Sequence, residues 1–168
     1  MFTLTERITM ATAGTTVAAT IDLGSYVDVG DRQALQVHSV DFIFQATTPQ
    51  ADVGGDIGTT GSVNVQVQDL NRGGLVFADD RALVASGALE YDPDGYMTRS
   101  ADLYPDNYGK GSDDGRFVVN DTLYLFANTN ALGTNKELNV TVRVNASIVT
   151  LTSKDFMAIA IQSTAADN

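Results

Sequence analysis

The segment ELNVTVRVNASIV, residues 137–149, alternates without interruption. Leu138, Val140, Val142, Val144, Ala146 and Ile148 fall on one side, and Asn139, Thr141, Arg143, Asn145 and Ser147 on the other. A period of two over this length suits a strand with one buried face, whereas apolar positions on a helix recur every three or four residues. A sheet with one dry face needs a second layer to cover it. This pattern commits the chain to a layered β structure.

Other runs repeat the pattern. In FTLTERIT, Phe2, Leu4 and Ile8 oppose Thr3, Thr5, Arg7 and Thr9. TTVAATIDL is rich in β-branched residues, SVNVQVQDL turns Val63, Val65 and Val67 inward, and TLYLFANTN follows the turn-like Asn120-Asp121. The run ALQVHSVDFIF carries Leu35 and Val37 on one face but Val40, Phe42 and Phe44 on the other. A switch near Ser39 predicts a β-bulge, or a strand that crosses between sheets at a corner. Clusters of Gly, Asn, Asp and Thr separate these runs. The expected fold is all-β: one antiparallel sandwich or barrel over residues 1–168.

Two segments suggest helix. ADDRALVAS could form a short one capped by Asp79 or Asp80. In LTSKDFMAIAIQST, Thr152 and Asp155 have the spacing of a capping box, and Leu151 and Phe156 that of a hydrophobic staple, which predicts a helix over 153–163. The alternation within FMAIAI leaves a strand open there.

Composition narrows the chemistry. The absence of cysteine excludes disulfides, zinc–thiolate sites and cysteine nucleophiles, and the single histidine, His38, excludes two-histidine metal motifs. No GxSxG, HExxH or P-loop GK[ST] occurs. His38 is expected to be an ordinary sheet residue. Asp22, Asp41, Asp69, Asp79, Asp80 and Glu90 are scattered, and the chain has no Trp to line a sugar cleft. The glycines of VGGDIGTTG precede a strand, where a phosphate loop would follow one. No catalytic residue and no cofactor are expected. The formal charge of −11, with basic residues scattered singly, argues against direct nucleic-acid binding. No secretory signal pattern is visible, and no apolar run approaches the roughly 18–20 residues of a membrane helix.

The acidic stretch YDPDGYMTRSADLYPDNYGKGSDDGR, residues 91–116, holds six aspartates and four of the six tyrosines. DPDG resembles the start of a calcium loop, but it lacks the third Asp and the terminal Glu of an EF-hand, and Pro93 favours a plain turn. A calcium site would use Asp92 and Asp94, with Asp102, Asp106, Asp113 or Asp114 as further ligands. Tyr91, Tyr96, Tyr104 and Tyr108 are candidates for subunit contact, because a tyrosine ring is apolar while its hydroxyl stays hydrogen-bonded; loop anchoring and glycan stacking are the alternatives.

FVVNDTLYLFANTN, a polar loop and ELNVTVRVNASIV are expected to make an antiparallel pair. With the bent strand 34–46 and the long acidic loops, the arrangement resembles the single jelly-roll capsid proteins of tailless icosahedral viruses. The resemblance is architectural, covers most of the chain and rests on no specific motif. It implies a β-sandwich that is a single jelly roll of about eight strands with a short C-terminal helix, made in host cytoplasm and assembled into the virion shell with copies of itself, alone or with a second capsid protein, as partners. Many small RNA-virus capsid proteins carry a basic N-terminal arm, and this sequence does not. That departure points to a shell over an internal membrane, or to a genome whose charge other proteins handle. Two other readings compete: a surface fibre, spike or adhesin subunit, with residues 1–10 as donor strand and a cell-surface location, and a lectin-like carbohydrate-binding module.

Overall fold

The computed structural model describes residues 1–49, 53–92, 97–100, 107–108 and 115–164. Its strands pair in nested fashion, from the ends of the chain inward. β1 (Phe2–Met10) pairs with β9 (Leu138–Thr150), β2 (Val17–Asp22) with β8 (Thr122–Thr129), β3 (Gln33–Gln45) with β7 (Arg116–Val118), and β4 (Gly61–Gln68) with β5 (Leu83–Asp92), all antiparallel. This is one long antiparallel ribbon. It rolls up because β3 also pairs with β9 and β4 also pairs with β8. Two sheets result, β1-β9-β3-β7 and β2-β8-β4-β5, and β6 (Met97–Ser100) extends the second beyond β5. Eight strands wound in this order make a jelly roll.

Inward-facing positions of both sheets meet in one core. Val140, Val142 and Val144 of β9 face Val63, Val65 and Val67 of β4 and Leu123 and Leu125 of β8, all essentially without solvent contact. Each such side chain contributes about 1.5–3 kcal/mol by leaving water. Ile148 departs from the alternation, being 44% exposed: it lies beyond Phe2, the first β1 residue paired to β9, so nothing covers its face.

The bend in β3 is a bulge within one strand. The register against β9 shifts between Val37 and Ser39, while β3 stays paired to β9 from Gln33 to Gln45. The extra residue lets Val37 and Val40 both face the core, and no sheet-to-sheet crossing occurs. The expected pairing of 117–130 with 137–149 does not form: β8 and β9 lie in opposite sheets. Both bury an apolar face on the same core, but from its two sides. ADDRALVAS is not a helix either. Asp80 accepts the Ala82 N–H at 2.8 Å in a tight turn, and Leu83 then begins β5. Burial between β4 and the sandwich interior overrides the helical propensity of Ala, Leu and Arg.

The C-terminal segment is helix α2 (Ser153–Thr164). Its N-cap is formed: the Asp155 N–H donates to Thr152 Oγ1 at 3.2 Å, while the Asp155 carboxylate accepts the Thr152 hydroxyl at 2.6 Å in place of the Thr152 N–H that a full capping box would use. Leu151 and Phe156 join a small cluster with Ala34 and Val119. Ala34 and Val149 are paired on the face of the β1-β9-β3-β7 sheet opposite Leu35, so α2 lies on the outer side of that sheet.

At Gly87 of β5 the two sheets approach closely. A Cβ there would lie 2.7 Å from the ring of Phe42 on β3. Gly87→Ala is therefore expected to lower unfolding free energy by about 1–3 kcal/mol through overpacking, and Phe42→Leu in the same chain to recover part of it. A denaturant-unfolding double-mutant cycle measures both, and additive effects would show that the two residues do not meet.

Candidate functional site

The acidic stretch leaves the sandwich at the end of β5. Gly61 pairs with Tyr91 and Ser62 with Glu90, which places Glu90, Tyr91 and Asp92 beside Thr60 and Asn130 in a surface hollow of about 380 Å³. The Thr60 hydroxyl approaches Asp92 Oδ1 at 3.4 Å, and the Ser62 N–H donates to Asn130 Oδ1 at 2.7 Å. The Tyr91 ring is half-buried over α1 (Val53–Ile57), one turn of helix in the glycine cluster that reads as a loop in sequence. A Cβ on Gly54 would lie 2.5 Å from that ring, so only glycine fits beneath it. Asp94, Tyr96 and Tyr104 lie outside the described residues, as do Asp102, Asp106, Asp113 and Asp114. Among the described residues no three His, Cys, Asp or Glu side chains come together as a metal site.

Tyr108 sits at the other end of this stretch and is also half-buried. Its N–H donates to the His38 carbonyl at 2.8 Å, and its hydroxyl donates to the Val84 carbonyl. His38 belongs to one sheet and Val84 to the other, so the residue struts the open edge of the sandwich. His38 is itself buried on the outer face, with Nε2 at 2.7 Å from the Ser147 hydroxyl. Tyr91 and Tyr108 thus both use part of their rings within the protomer.

Two buried carboxylates dominate the electrostatics. Asp56 of α1 is 3% exposed; it accepts the Thr47 N–H at 2.6 Å and the Thr47 hydroxyl at 2.7 Å, and pairs with Lys136 at 3.2 Å. Its carboxyl is held below the usual range, chiefly by the Thr47 N–H, against the opposing effect of burial. Asp69, just past β4, is 2% exposed and receives the Arg116 guanidinium at 3.1 Å. Burial pushes its carboxyl upward, and Arg116 opposes that only in part. Oδ1 of Asp69 has no hydrogen-bond partner among the described residues.

Sequence reading counts Asp69 among scattered acids and passes over Asp56. Nothing local marks Asp56, since its partners stand at positions 47 and 136. Asp22, Asp41, Asp79 and Glu90 do not converge with Asp69 on a common cleft: only Asp80 joins it, through the Arg72–Asp80 pair at 3.2 Å close by in the same connection. Asp69 lines a surface hollow of about 430 Å³ with Arg81 and Arg116, and no second carboxylate stands in that lining among the described residues.

No protein-family model matches the chain, and no curated protein matches it. A solved structure described as Desmodium yellow mottle tymovirus aligns over 90% of this chain and 90% of its own, at 8% identity and a TM-score of 0.29. A superposition that loose carries no weight here.

The two carboxylates have opposite pH signatures. Asp56, depressed, contributes stability above its unfolded value near 3.8 that is lost as pH falls through its lower folded value. Asp69, raised, contributes fully below 3.8 and loses that contribution as pH climbs through its higher folded value. Asp56→Asn should cost about 1.5–3 kcal/mol at neutral pH, shrinking in acid. Asp69→Asn should gain on the parent protein as pH rises from 3.8 toward neutrality. Thermal unfolding across pH reads both slopes, and parallel curves for the two variants would refute the assignment.

Proposed function

We propose that this chain is a structural subunit that assembles with copies of itself into a viral capsid shell and catalyses no reaction. The strand order carries this reading: β1-β9-β3-β7 facing β2-β8-β4-β5 is the jelly roll, an arrangement that capsid and lectin domains share. The shell is favoured over strand exchange because β1, the one strand available for donation, is hydrogen-bonded along its whole length to β9 of the same chain. On this reading the protein resides in the virion after synthesis in host cytoplasm. Its partners are further copies and a second capsid protein, near an internal membrane, without direct contact to nucleic acid.

The acidic stretch is then a contact region. Tyr91 and Tyr108 are half-buried and offer the remainder of their rings to such a contact. Tyr96 and Tyr104 are proposed for it from the sequence alone, and Asp92 and Asp94 offer oxygens that a bridging calcium ion could take from adjacent subunits. Subunits each carrying −11 repel one another, and salt or bound cations weaken that repulsion.

Mass photometry of the purified protein should show discrete oligomers that become more populated as salt rises from about 10 mM, where the Debye length is ~30 Å, to 150 mM, where it is ~8 Å. Calcium should shift the distribution further and chelator should reverse it. A monomer under every condition would sink the shell reading and turn attention to glycan binding.

A further inference from the structure

The chain carries a knob and a hollow on opposite sides of the sandwich. The knob is Phe77, in the β4–β5 connection, 87% exposed and the most exposed large hydrophobic side chain among the described residues. Its backbone is held in place. Gln66 of β4 grips the residue before it at both polar groups: Nε2 donates to the Val76 carbonyl at 2.7 Å, and Oε1 accepts the Val76 N–H at 2.8 Å. Gln68 adds a third anchor, donating to the Gly74 carbonyl at 2.8 Å. Gln66 and Gln68 alternate with the core residues Val65 and Val67, so this connection is pinned to the outer face of the β2-β8-β4-β5 sheet. A fully solvated phenylalanine on a fixed backbone pays little ordering entropy when it binds.

The hollow lies on the other sheet. Phe117 pairs with Gln36, and Val149 with Ala34, on the outer face of β1-β9-β3-β7. Between them and α2 runs an apolar groove of about 710 Å³, floored by Phe117, Val149 and Leu151 and walled by Ala158 and Ile159. The only charge in its lining is Asp155, whose carboxylate already accepts the Thr152 hydroxyl. Residues 71–78, NRGGLVFA, likewise carry one charge, Arg72, which is paired to Asp80. Beyond them stand Asp80, which holds Arg72, and the exposed Asp79. On a chain of net charge −11, these are two surfaces with a single uncompensated carboxylate each, Asp79 and Asp155, so they meet with less like-charge repulsion than the acidic stretch would. An anionic lipid surface would instead face the whole acidic subunit.

We infer that Phe77 of one copy inserts into the groove between α2 and the outer face of β7 and β9 on the next copy. This rests on the self-assembly reading above and specifies the contact. Because knob and groove stand on opposite sheets, the contact is head-to-tail: a bound pair keeps one free groove on one copy and one free knob on the other, so association propagates and does not stop at a pair.

The test uses single substitutions at exposed positions, with thermal unfolding to show that the fold persists. Phe77→Asp and Ala158→Glu should each raise the concentration at which oligomers form by at least about tenfold in mass photometry, as expected for loss of a central aromatic anchor. Ile43→Ser, at another exposed apolar position away from both surfaces, should leave it unchanged. The chain has no cysteine of its own, so Phe77→Cys and Ala158→Cys proteins can be mixed under mild oxidation. A disulfide joining positions 77 and 158 of different copies, found by peptide mass analysis, is the expected product. Parent protein that assembles while Phe77→Asp and Ala158→Glu assemble equally well overturns this contact and leaves self-assembly standing. Loss of assembly in Phe77→Asp without a 77–158 cross-link overturns the pairing of this knob with this groove. Parent protein that stays monomeric overturns both. Binding of the protein to phosphatidylcholine–phosphatidylglycerol vesicles that Phe77→Asp abolishes overturns the knob–groove contact alone and assigns the knob to a membrane.

Discussion

β9 is the strand on which the rest depends. It is hydrogen-bonded to β1 along one edge and to β3 along the other, and its inward side chains from Leu138 to Ala146 are buried. A strand paired on both edges and dry on one face satisfies its backbone only if both neighbours are in register. The register of β9 therefore sets that of the whole four-stranded sheet. The bulge at the middle of β3 is a consequence: it keeps Val37 and Val40 on the core side of a strand that must follow β9 over its full length.

The connections are held by polar groups that the core does not need. Gln66 and Gln68 fasten the β4–β5 connection to the outside of its sheet, Asp56 ties α1 to Thr47 and Lys136, and Tyr108 spans the edge between His38 and Val84. Each replaces water by protein at buried donors and acceptors, so the net stabilisation per bond is modest while the cost of leaving one unmade is larger. They act on where the loops stand, more than on whether the sandwich folds. Loop placement in turn decides which groups the surface presents.

Charge and apolarity are distributed unevenly over that surface. Residues 90–114 concentrate acids, whereas the β4–β5 connection and α2 together carry about one net negative charge and expose Phe77, Met157 and Ile161. On the proposed reading, acidic subunits would stay apart until salt or cations weaken their repulsion, and would then meet where it is least. Assembly that depends on conditions would need no moving part.

The positions of β1, β2, β3, β4, β8 and β9, most of their inward faces and the capped C-terminal helix were legible in the residues. Val63, Val65 and Val67 lie inside as their alternation requires, and Thr152 and Asp155 form the cap that their spacing announces. These are local properties, fixed by side-chain period and by short-range hydrogen bonds. What the tertiary structure alone decided was partnership: that β9 pairs with β1 and β3 and not with β8, that ADDRALVAS leads into a strand, and that Asp56 and Gln68 are buried. Backbone donors and acceptors are the same at every residue, so alternation says which face is dry but not which strand lies alongside. That choice is made only when two sheets close on one core.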